Sequence, residues 1–80
     1  MTTYYERFSG SGPSRTPIAL YRREVDDDIS TDGVYSKDGT WPFTSALAIW
    51  MLNLGDSEIE QVSEAEAERF IAEVTARNLA

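Results

Sequence analysis

Eighty residues and 9.0 kDa leave room for one small domain. Fourteen acids against seven bases give a net charge of −7, and 41% apolar residues lie above the range of disordered chains. No cysteine means no disulfide and no thiolate chemistry, and no histidine removes the commonest general base and transition-metal ligand. No stretch approaches the ~20 apolar residues of a membrane span, and the first eight residues lack the pattern of a secretory signal.

Residues 4–8, Tyr-Tyr-Glu-Arg-Phe, read as a short strand or an extended arm. Residues 9–17, with two prolines among Gly, Ser and Thr, read as a flexible loop. Ile18 to Val25 is the strongest strand signal, although neither alternating face is cleanly apolar. The dipeptides Asp32-Gly33 and Asp38-Gly39 both suit two-residue hairpin turns, which need positive φ. Residues 18–43 are therefore expected to form a three-stranded antiparallel meander, ending near Pro42, which cannot donate to a ladder.

Thr44 or Ser45 is placed to cap a helix that runs through Ala46-Leu47-Ala48-Ile49-Trp50-Met51-Leu52-Asn53-Leu54 and stops at Gly55. Residues 56–62 read as a connector with a possible short strand. Ser63-Glu64-Ala65-Glu66 is a capping box: the Ser63 hydroxyl takes the Glu66 amide, and the Glu66 carboxylate reaches back to the Ser63 amide. Ala67, Phe70, Ile71 and Val74 then mark one apolar stripe of the following helix. The fold class that results is α+β: a small antiparallel sheet of three to four strands packed by two C-terminal helices. The organisation is one domain over 1–80. Residues 1–17 form an N-terminal arm or strand and loop, 18–43 a β-meander, 44–55 an apolar helix and 63–79 a capped amphipathic helix.

Charge is unevenly spread, with +2 over residues 1–25, −4 over 26–55 and −5 over 56–80. Five constellations could carry chemistry. Residues 28–36 match a calcium loop at several positions, but Gly39 stands where that loop needs a bidentate carboxylate, so a hairpin is the better reading. Asp26, Asp27 and Asp28 would point to alternating faces of a strand, which suits a solvated edge better than an acid–base pair. Tyr4, Tyr5, Arg7, Phe8, Arg15, Tyr21, Arg22 and Arg23 interleave rings with bases, as a single-stranded nucleic-acid platform would, but the net charge disfavours a polyanion. Glu64, Glu66, Glu68 and Glu73, with Glu58 and Glu60 nearby, could imitate a phosphate backbone.

The fifth constellation is the helix at 46–54, apolar all round except at Asn53. The sheet and the helix after Ser63 can cover two sectors of it, which leaves a third for a partner or for the arm at residues 4–8. The sequence therefore points to a non-catalytic, acidic interaction module acting in the cytoplasm. Its expected partner is another protein or a second copy of itself, with no membrane role, no cofactor, no metal and no catalytic residues. Trp50 and Met51 are the expected centre of the binding surface, with Trp41, Tyr21, Arg22 and Arg23 as further candidates. The alternatives are an acidic inhibitor mimicking nucleic acid, of the kind phages encode, or nucleic-acid contact through the basic, aromatic N-terminal part.

Overall fold

The computed structural model describes residues 1–10, 12–52 and 59–79. Strands β1 (Thr2–Ser9), β2 (Thr16–Asp26) and β3 (Ile29–Val34) are followed by helix α1 (Ala46–Leu52), strand β4 (Ile59–Val62) and helix α2 (Glu64–Leu79). The sheet order is β3-β2-β1-β4, with every neighbouring pair antiparallel. The fold is α+β, as the sequence implies.

The two helices lie on opposite faces of this sheet, which explains the absence of a single apolar face in the strands. On one face Leu20 packs with Ala67 and Phe70 of α2, flanked by Tyr4, Tyr35, Trp41, Val62, Ile71 and Val74. On the other, Tyr21 packs with Leu47 of α1 and Ile59 of β4, flanked by Tyr5, Ala19, Val34, Ala46 and Trp50. Consecutive residues such as Tyr4 and Tyr5, or Leu20 and Tyr21, thus serve opposite cores, as the two-residue period of a strand requires. Leu20 and Leu47 are the largest fully buried side chains of the two cores.

The segment at 4–8 is not an arm. It belongs to β1, a central strand paired with β2 along its whole length and with β4 from Tyr4↔Val62 to Arg7↔Ile59. A bulge in β2 leaves Ile18 without a partner between the pairs Arg7↔Ala19 and Phe8↔Pro17, and it tolerates Pro17 within the strand.

One of the two expected hairpin turns is displaced. Asp32-Gly33 lies inside β3, where the pairs Arg23↔Asp32 and Arg22↔Gly33 run straight through it. The chain turns instead at Asp27-Asp28, directly after the pair Asp26↔Ile29, with Asp27 at φ 54°. Aspartate is among the few residues that enter this region readily. The second turn forms at the expected dipeptide but one residue out of register: Lys37 and Asp38 are its central residues, and Gly39 follows them as the residue at positive φ. Gly39 has φ 87°, its amide donates to the Ser36 carbonyl at 2.9 Å, and the Asp38 carboxylate accepts from the Thr40 amide and hydroxyl at 3.0 and 2.6 Å. Those bonds hold the Asp38 carboxyl below its ordinary range, the Thr40 hydroxyl acting most strongly. The third strand of the expected meander shrinks to a single bridge, Gly33↔Phe43.

Helix α2 begins as the capping box requires, with the Glu66 amide donating to the Ser63 hydroxyl at 3.2 Å. The return contact differs in detail: the Glu66 carboxylate accepts from the Ser63 hydroxyl at 3.4 Å, not from the Ser63 amide. The expected C-terminal stop of the first helix, Gly55, lies outside the described residues, as does Asn53.

Candidate functional site

Helix α1 starts where the Thr44 hydroxyl accepts the Ala46 amide at 3.1 Å, with the Ile49 amide bonded to the Ser45 carbonyl at 3.0 Å. Leu47 points into the sheet and is fully buried. Because α2 occupies the opposite face, it covers no sector of α1 in either core, contrary to the sequence expectation. The outer side of α1 is correspondingly open: Ile49 is 53% exposed and Leu52 83% exposed, three residues apart on one helical face. Phe43, just before the helix, is 79% exposed. No residue from 43 to 52 carries a charge.

Trp50 and Met51, the expected centre of this surface, face inward by comparison. Trp50 is half-buried, with its ring edge-on to Tyr5 at 6.1 Å between centroids. Its indole Nε1 is buried and finds no acceptor among the described residues. Met51 is half-buried, and its thioether accepts a hydrogen bond from Arg23 Nη1. The same Arg23 forms a bidentate pair with Asp32 directly across the strands, Nε to Oδ1 at 2.7 Å and Nη2 to Oδ2 at 2.8 Å. Both side chains are largely shielded, and the bonds to Asp32 stabilise the guanidinium further in its charged form. Arg23 therefore links β2, β3 and α1.

The remaining candidates divide between the two faces. Tyr21 is buried in the core beneath α1. Trp41 is half-buried on the α2 side, 5.2 Å from the Tyr35 ring and 6.3 Å from the Tyr4 ring. Arg22 lays its guanidinium over Trp41, 4.4 Å from the ring centroid. Arg15 stacks on Phe8 at 4.1 Å and makes a bidentate pair with Glu60. The rings and bases of the N-terminal third thus do not assemble into one platform. Tyr4, Phe8, Trp41 and Arg22 serve the α2 face, while Tyr5, Tyr21 and Arg23 serve the α1 face.

Asp26, Asp27 and Asp28 stand exposed at the tip of the β2–β3 hairpin. Among the described residues no group of three acidic side chains is arranged to hold a metal ion. No described helix is long and apolar enough to cross a membrane. Glu64, Glu66, Glu68 and Glu73 are all exposed on α2.

Sequence reasoning missed two features. The first is the trio Phe43, Ile49 and Leu52, although the Ile49–Leu52 spacing marks a second face of the helix beyond that of Leu47 and Trp50. The second is Glu6, which is 4% exposed and lies on the α2 side of the sheet. Its position between Tyr4 and Phe8 on a two-residue period was the available signal. The chain matches no protein-family model, no curated protein and no solved structure.

Proposed function

We propose that this chain is a non-catalytic interaction module that works through protein–protein contact at the outer face of α1, and that the occupant of this face is a second copy of the chain. The observation that carries the reading is the exposure of Ile49 and Leu52, three residues apart on a helix without charge. Large apolar side chains grouped at a surface mark contact sites. Charge permits self-association at this face and opposes it over the acidic remainder of the surface. Two copies of a molecule with net charge −7 repel each other, and residues 43–52 provide a contact free of that repulsion. A pair joined at α1 also carries its acidic α2 helices on the two outer sides, separated by both sheets and both α1 helices. That separation exceeds the Debye length of about 8 Å at physiological salt. The lack of histidine and cysteine supports a role without catalysis, and a cysteine-free chain suits the reducing cytoplasm, where we place it.

Sedimentation equilibrium tests the proposal. The expected result is a concentration-dependent mass above 9.0 kDa that persists at high salt, and a return to 9.0 kDa in Leu52→Glu with an unchanged circular dichroism spectrum. A mass of 9.0 kDa at every concentration, or association that Leu52→Glu leaves intact, overturns it.

A further inference from the structure

A cavity of about 370 Å³ lies on the α2 side of the sheet, away from the α1 face. Its floor holds Glu6 of β1, and its walls include Phe8 together with Glu66, Arg69, Phe70 and Glu73 of α2. Its volume falls within the range of small-ligand sites. Glu6 is the unusual member. It is a carboxylate on a residue 4% exposed, it lines the cavity, and it forms no ion pair with a described residue. Buried carboxylates are ordinarily paired or hydrogen-bonded, because an uncompensated one is costly.

The neighbouring charges do not resolve this. Arg15, at the cavity rim, is committed to Glu60, the residue paired with Glu6 across β1 and β4. Glu66 and Glu73 add negative charge, and Arg69 alone opposes it without forming an ion pair or hydrogen bond with a described residue. Burial pushes the Glu6 carboxyl upward, Glu66 and Glu73 push it further, and Arg69 pulls it partly back. The arrangement asks for a positive charge.

We propose that this cavity is a binding site for an aliphatic ammonium group held by Glu6, with Glu73 or Glu66 taking a second ammonium where the ligand carries one. An inorganic ion fits poorly, because the three carboxylates are not arranged to share one metal ion. An organic cation can bridge separated carboxylates, and its methylenes meet the rings of Phe8 and Phe70. The same chemistry is presented by a free diamine and by the lysine side chain of a peptide. Binding should weaken as acid protonates Glu6, since a neutral carboxyl no longer attracts the ammonium group. Arg69 competes for the same carboxylates from within the chain.

The test is titration of the full chain with 1,4-diaminobutane and, separately, with N-acetyl-lysine methylamide, followed by amide chemical shifts and calorimetry. Sodium chloride at matched ionic strength is the control. The expected result is saturable binding at neutral pH with shifts centred on Glu6, Phe8 and Phe70. Affinity should fall by about tenfold or more in Glu6→Gln, the scale of a lost charge-assisted hydrogen bond. It should fall in Glu73→Gln, an exposed change that leaves the folded spectrum intact, and rise in Arg69→Met. Binding of the lysine derivative alone assigns the site to a peptide side chain, and binding of the diamine assigns it to a free amine. Shifts that only follow ionic strength overturn the proposal. So does undiminished affinity in both carboxamide variants. Self-association at α1 is read separately by sedimentation, so either proposal can fail without the other.

Discussion

Gly33 tests the displaced turn directly. Its conformation is that of a strand, so no positive φ requires glycine there; what requires it is the chain that crosses over it. A Cβ built on Gly33 would lie 3.0 Å from the Trp41 carbonyl oxygen and 3.2 Å from the Trp41 Cβ. Neither neighbour can swing aside, because both are fixed by backbone. Two hydrogen bonds flank the contact and pin it: Val34 amide to Pro42 carbonyl at 3.0 Å, and Thr44 amide to Asp32 carbonyl at 3.2 Å. Overpacking of this kind costs ~1–3 kcal/mol. The smaller entropy of an unfolded chain with alanine returns ~0.4–1 kcal/mol. Gly33→Ala should therefore destabilise by a net ~1–2 kcal/mol, which lowers the melting temperature by ~4–15 °C in a domain of this size. Thermal melts by circular dichroism measure the loss. Hydrogen exchange should localise it to the Val34 and Thr44 amides, ahead of the rest of the sheet. A variant that melts at or above the parent temperature refutes the close approach of Trp41. Gly39 is the contrasting case: a Cβ there meets nothing within 4 Å, and only its φ of 87° disfavours alanine, so D-alanine at 39 should be tolerated or stabilising.

Ser63→Ala removes the acceptor of the Glu66 amide and should cost ~1 kcal/mol, read as a lower denaturation midpoint in urea; an unchanged midpoint would sink the capping role. Asp32→Asn turns the bidentate, shielded pair with Arg23 into a neutral contact and should cost ~2–3 kcal/mol. Because Arg23 also holds Met51, this variant should raise hydrogen exchange along α1, and exchange confined to β2 and β3 would refute that link.

How legible each element was in the sequence follows from where its determinants lie. Helix α2 could be read because its cap, dipole charges and apolar stripe all sit within its own residues. The Asp38-Gly39 turn is equally local. Asp32-Gly33 misleads because its glycine answers to Trp41, eight positions on, and the dipeptide carries no mark of that approach. The actual turn falls on Asp27-Asp28, where aspartate in place of Asn-Gly gives only a weak signal. Strand β1 was hard to read as central because its second neighbour, β4, is remote in the chain and Glu6 interrupts the apolar alternation. The sequence marks an uncovered sector on α1 and centres it on Trp50 and Met51, whereas Ile49 and Leu52 are the more exposed residues of the helix. An all-round apolar helix does not say which side meets the sheet; that choice is made by Tyr5, Tyr21 and Arg23, which draw Trp50 and Met51 inward.

Sheet order gives α1 a mechanical role. Strand β3 lies at one edge of the sheet and β4 at the other, so the chain between them must pass from edge to edge, and α1 lies on that path against the sheet. The helix is a strap, and Ile59, which shares its core with Leu47, is the buckle. Strand β4 contributes four residues to the sheet, and its hold on β1 depends on the strap staying seated. If a second copy binds Ile49 and Leu52 as proposed, it should press the strap down and slow hydrogen exchange in β4, the edge from which α2 begins.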